Sequence, residues 1–279
     1  MAKLGAAFML GGLATATTLL LVRGRVSQEL GLDAAGYFAA AWGITMTYVG
    51  FLLGAMGADY YPRLTEVIHD KVAAVQLMND QTQLGLAIGG PVLLLFIGLA
   101  PWMITLLFSS AFEPAVTLLQ WQMLGNVFKL ASWALAFSIV AAARGKTFFL
   151  MELSFNIVFL GMVFIFLPQV GLEVTAYAFV LGYLVYLTIV YVLARSIHGF
   201  RWQALSLGLL GLHTSLGVAL LVLALMAPFA AAIASPLLAA ATGLFGLRIV
   251  LSKVGKHGRL PTRLYGIFAR LGWPIQSAV

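Results

Sequence analysis

Gln122, Asn126 and Lys129 are spaced by four and three positions inside the apolar run Ala115–Ala143, so on a helix their side chains share one face. An ionisable group within such a run is costly and marks a transport path or a buried polar partnership. Lys129 lies about 14 residues, or roughly 21 Å at 1.5 Å per residue, from the end of the run that precedes Arg144. That is too deep to reach the nearer surface easily. A polar face at this depth, with Trp121 and Ser132 on the same helix, lines a cavity or closes a hydrogen-bond network between helices, and the spacing leaves both open.

Three further groups carry charge near apolar runs. Arg23 and Arg25 close the first run, and two residues apart on a helix is about 200°; one faces a cavity and the other the headgroups, or both are interfacial anchors. Glu152 sits about one turn into the fifth run, near Arg144 and Lys146. Antiparallel, untilted helices place it roughly 13 Å from Lys129 in depth, so pairing with the loop cations is expected over a direct pair with Lys129, and a proton or cation site is the sharper alternative. Asp59 and Arg63, at the end of the second run, join Glu152 as candidates for coupling or gating. His213, beside Thr214 and Ser215 in the seventh run, is expected to be satisfied by a neighbouring hydroxyl or carbonyl.

These residues must be held by membrane-spanning helices. Of 279 residues, 62% are hydrophobic and 9% charged, with a mean hydropathy of +1.02, whereas soluble chains are about a quarter charged. The composition excludes most soluble enzymes. Apolar runs long enough to span occur at Gly5–Val22, Gly36–Gly57, Leu84–Phe108, Ala115–Ala143, Thr147–Leu167, Val174–Ala194, Ala204–Ala227 and Phe229–Leu251. Unpaired backbone amides are not tolerated in hydrocarbon, and the runs lack the alternation of barrel strands. The expected fold is therefore an all-α polytopic bundle of about eight transmembrane spans. Met1–Val22 lacks an A-x-A-like cleavage site and is read as a retained span. Pro228 and Pro236 leave room for either a tight turn or one kinked segment at the last division.

The basic residues test that count, because Lys and Arg accumulate in cytoplasmic loops. Lys3, Arg63, Lys71, Arg144, Lys146, Arg195, Arg201 and the cluster Arg248, Lys253, Lys256, Arg259, Arg263, Arg270 all fall on one face, against Arg23 and Arg25 on the other. Both termini are thus expected to be cytoplasmic. Net charge is +7, and its placement at the ends of spans points to anionic lipid rather than nucleic acid. The connection Asp59–Gln83 carries apolar residues at helical spacing and lies along the interface or extends its neighbours. After Pro261, Leu264, Ile267, Phe268 and Leu271 alternate with Arg263 and Arg270, a pattern for a short helix on headgroups.

Enzyme motifs are missing from the sequence. With no cysteine, thiolate chemistry and cysteine-bound metals are excluded. His69, His198, His213 and His257 have no ligand spacing. Gly145-Lys146-Thr147 ends like a phosphate-binding loop, but Val140 stands where its first glycine belongs. No G-x-S-x-G turn occurs. No cofactor and no catalytic or metal site is expected.

The run Gly31–Val67 resembles a known family. Its features are a span ending in Arg, the connection Leu30–Gly36 (L-G-L-D-A-A-G), a span with Trp42 and Tyr48, and the turn Gly57–Leu64 (G-A-D-Y-Y-P-R-L). Together with Ala143–Thr147, Glu152 and Asn156, they resemble the O-antigen and lipid-linked oligosaccharide flippases of the multidrug/oligosaccharidyl-lipid/polysaccharide exporter superfamily over about Lys3–Trp202. The resemblance implies translocation of an undecaprenyl-pyrophosphate-linked oligosaccharide across the bacterial plasma (inner) membrane, for O-antigen or related lipopolysaccharide biosynthesis. It also implies two six-helix lobes around a cationic cavity. This chain then corresponds to a second lobe (residues 1–202), two additional helices (203–251) and a basic cytoplasmic tail (252–279). A first-lobe chain or a homodimer completes it, beside polysaccharide polymerase machinery. Lys129, with Arg23 or Arg25, is expected to line the path. The competing expectations are a small-molecule antiporter and a non-transporting scaffold or truncated relic.

Overall fold

The computed structural model describes residues 2–255, 259–270, 272, 273 and 275, with the side chains of 2–4, 254, 259 and 260 excluded. Lys256, His257 and Leu271 lie outside the described residues, as do the side chains of Lys3 and Arg259. Nine α-helices occur among the described residues: α1 (Ala2–Leu30), α2 (Leu32–Val67), α3 (Lys71–Leu107), α4 (Ala115–Ala141), α5 (Gly145–Val170), α6 (Val174–His198), α7 (Ala204–Met226), α8 (Pro228–Val254) and α9 (Arg259–Arg270). The first eight are long and apolar enough to cross a membrane. The described part is thus an all-α polytopic bundle without a strand.

The helices overrun the apolar runs where polar side chains support further turns. α1 continues beyond Arg23 and Arg25 to Leu30, helped by an Arg25–Glu29 ion pair of 2.7 Å one turn apart. Gly31 alone separates α1 from α2, at φ 91°, a conformation that glycine adopts without a Cβ clash. The polar connection Asp59–Gln83 does not lie flat. Its first half extends α2 and its second half opens α3, where the Asp70 carboxylate accepts from Val72 N at 2.9 Å and Ala73 N at 3.1 Å and so caps two otherwise unpaired donors. The last division is a tight turn: α7 stops at Met226 and Pro228 starts α8, while Pro236 lies within α8.

Two apolar cores share a wall. One joins α1, α5 and α6 to parts of α2 and α4 and to the start of α3; the other joins the rest of α3, α7 and α8 to other parts of α2 and α4 and to Ala176 of α6. In α4, the buried apolar residues up to Leu130 belong to the second core and those from Ala131 onward to the first. Lys129 stands at that changeover. Burial follows the same plan, with 78% and 67% of the most apolar windows of α4 and α3 buried against 22% for α1 and for α8. α7 and α8 are therefore no loose appendix, since both pack onto α3.

A polar junction fixes α7 to α3. Asn79 Nδ2 donates to Arg201 O at 3.0 Å, and its Oδ1 accepts from Gln203 N at 2.9 Å and from Ser206 Oγ at 2.8 Å. Gln83 Nε2 adds bonds to Gln203 and Ser206. We expect Asn79→Ala to destabilise the fold by about 2–3 kcal/mol, because it strands a backbone N–H and a backbone C=O together. Thermal unfolding in detergent checks this, and an unchanged midpoint contradicts it. Nearby, Asp80 of α3 pairs with Lys253 of α8.

The tail helix packs on the end of α8. Tyr265 and Phe268 turn inward onto Leu251 of α8, with Tyr265 Oη donating to Leu251 O at 2.8 Å. Arg263, Ile267 and Arg270 face outward. Part of the apolar edge is thus used against the protein, because the end of α8 offers a backbone acceptor and an apolar seat.

Candidate functional site

Lys129 Nζ projects into a cavity of about 310 Å³ bounded by α1, α2, α4, α5 and α6. Its walls are largely aromatic: Phe8, Trp42, Trp133, Phe155, Tyr183 and Tyr186. The ammonium lies 3.6 Å from Met46 Sδ and 5.3 Å from the centre of the Tyr183 ring. A thioether is a weak acceptor and a ring face attracts a cation without accepting its protons fully. Much of the donor capacity of this ammonium is therefore unused.

Glu152 lines the same cavity from α5. Tyr186 Oη donates to its Oε1 at 2.5 Å, and Asn156 Nδ2 donates to Glu152 O at 2.9 Å and Thr15 Oγ1 at 3.3 Å. The expected partnership of Glu152 with Arg144 or Lys146 is replaced by Tyr186, since the side chain turns into the bundle where α6 supplies a hydroxyl. Among the described residues Lys129 and Glu152 form no ion pair, as their depth offset implies, yet they share one cavity. An acid and a base held apart behind aromatic walls can receive a ligand of either sign, or one that separates them.

Gln122 and Asn126 lie on the expected face of α4 but outside this cavity. Both are fully buried: Gln122 Oε1 accepts from Thr45 Oγ1 at 2.8 Å, and Asn126 Nδ2 donates to Gln122 O at 2.8 Å. Gln122 is about 10 Å along the helix from Lys129 at 1.5 Å per residue, so it meets α2 at a different level. Gln122 Nε2 and Asn126 Oδ1 remain without protein partners among the described residues.

Arg23 and Arg25 go opposite ways, as their angular separation requires. Arg23 is exposed. Arg25 pairs with Glu29 and lies 5.8 Å from the ring centre of Phe164 on α5. Neither joins Lys129. Asp59 and Arg63 form an exposed ion pair of 3.0 Å within one turn of α2, a geometry worth little energetically. His213 Nδ1 meets Leu209 O at 2.9 Å, so a carbonyl satisfies it in part, and the ring packs against Gly90.

The sequence reading missed Tyr183, Tyr186, Thr15 and Met46. The first two follow at i and i+3 on α6, which places both rings on one face, but tyrosines in an apolar helix read as packing. No protein-family model matches the chain, and no curated protein or solved structure matches it significantly.

Proposed function

We propose that this chain is the second lobe of a non-enzymatic membrane transporter that translocates an undecaprenyl-pyrophosphate-linked oligosaccharide across a bacterial inner membrane. The observation that carries the reading is Lys129, an ammonium in a mid-bundle aromatic cavity with a sulfur and a ring face for company and, among the described residues, no carboxylate in ion-pair contact. A pyrophosphate entering hydrocarbon loses its hydration, and a buried cation with free donors offsets that loss. The flippase-like sequence features at Gly31–Val67 point the same way. The cavity matches a charged head rather than a whole glycan, so a facing lobe, from a first-lobe chain or a second copy, completes the path. Exposed Arg263 and Arg270 fit contact with anionic lipids.

Glu152 in the same cavity favours a second reading, exchange of a small cation or cationic molecule. Deleting the gene separates the two. We expect loss of surface polysaccharide and accumulation of the lipid-linked precursor in the cytoplasmic leaflet. Intact polysaccharide together with raised retention of cationic drugs overturns the flippase reading in favour of the antiporter.

A further inference from the structure

A larger groove of about 1060 Å³ lies away from Lys129, where the end of α3, the start of α4, the end of α7 and the start of α8 converge. Its chemistry differs from that of the Lys129 cavity. Among the described residues, Glu113 is the one charged residue in its lining, and no Lys or Arg lines it. Trp102 and Phe229 form an edge-to-face pair with ring centres 5.7 Å apart, and both are exposed, at 41% and 78%. Thr105, Thr117 and the nearly buried Gln120 add polar atoms. Gln120 Nε2 is committed to Ile97 O at 3.1 Å, which leaves its carbonyl to accept. Leu106 and Leu225, beside them, are largely exposed apolar side chains.

We propose that this groove binds a phospholipid with a primary ammonium head group. Two exposed aromatic rings and a carboxylate without an ion pair among the described residues attract a cation. The hydroxyls, the amide carbonyl and the carboxylate are acceptors, which suits an ammonium that donates N–H bonds rather than a trimethylammonium, which has none. A purely anionic head group finds no counter-charge here. The acyl chains lie against Leu106 and Leu225, at the apolar margin of the same helix ends. This assignment is independent of what the Lys129 cavity carries.

Native mass spectrometry of the full chain in detergent, titrated with phosphatidylethanolamine, phosphatidylcholine and phosphatidylglycerol of matched acyl chains, tests it. We expect phosphatidylethanolamine to be retained about tenfold more tightly than either other lipid, the size of one partly desolvated cation contact. Glu113→Gln and Phe229→Leu both alter exposed side chains, so the fold survives, and each should bring the three lipids close to parity. Equal retention by the unaltered protein, a preference for phosphatidylglycerol, or a preference that persists in Glu113→Gln overturns the proposal.

Discussion

Lys129→Ala should lower export of the lipid-linked glycan about 100-fold while leaving the folded chain in the membrane. A buried cation facing a pyrophosphate contributes about 3 kcal/mol once water is excluded. Stability should barely change, because the substitution removes a costly buried charge along with its contacts to Met46 and Tyr183. Lys129→Arg keeps the charge but presents a planar fork in place of a compact ammonium, so partial export is expected. The double variant Arg23→Ala, Arg25→Ala is the control. Arg23 is exposed and Arg25 is occupied by Glu29 and Phe164, so export should stay within about twofold of normal, as for surface charges generally. Surface polysaccharide yield, normalised to protein in the membrane, reads all three. Undiminished yield with Lys129→Ala eliminates this residue from the path.

The contrast between Lys129 and its neighbours shows how far the sequence could be read. Eight spans and the depth of Lys129 were legible because one charge in an apolar run has few explanations. Helix ends were less legible: the spacing around Asp59, Arg63 and Glu66 left open a helix along the interface or an extension of its neighbours, and these three ride on the extension of α2. Gln122 and Asn126 share the stripe of Lys129 but not its surroundings, because a stripe fixes direction and not which helix lies opposite. Glu152 was read with the loop cations for partners and meets Tyr186 instead. The Tyr186 hydroxyl that it meets lies 34 residues further along the chain, on a helix whose rotation no local pattern reveals. The groove at Glu113 was invisible for the same reason, since α3, α4, α7 and α8 each bring only part of it.

Gly246→Ala should destabilise the bundle sharply, whereas Gly243→Ala, one turn away on the same helix, should not. A Cβ at Gly246 falls on the backbone carbonyl of Ala87 in α3, and neither backbone can rotate aside, so the helices must separate. Overpacking of this kind costs about 1–3 kcal/mol. At Gly243 the added carbon meets Pro91 Cβ at 3.8 Å and Pro91 Cγ at 4.0 Å, ordinary contact distances. There the better helix propensity of alanine contributes up to about 1 kcal/mol in favour of folding. Because the propensity gain is common to both variants, the gap of roughly 1–3 kcal/mol between them isolates the α3–α8 approach. Unfolding midpoints in one detergent measure it directly. Equal midpoints show that α8 does not seat on α3 at Ala87, and the second core, with its groove at Glu113, then has to be rebuilt without that contact.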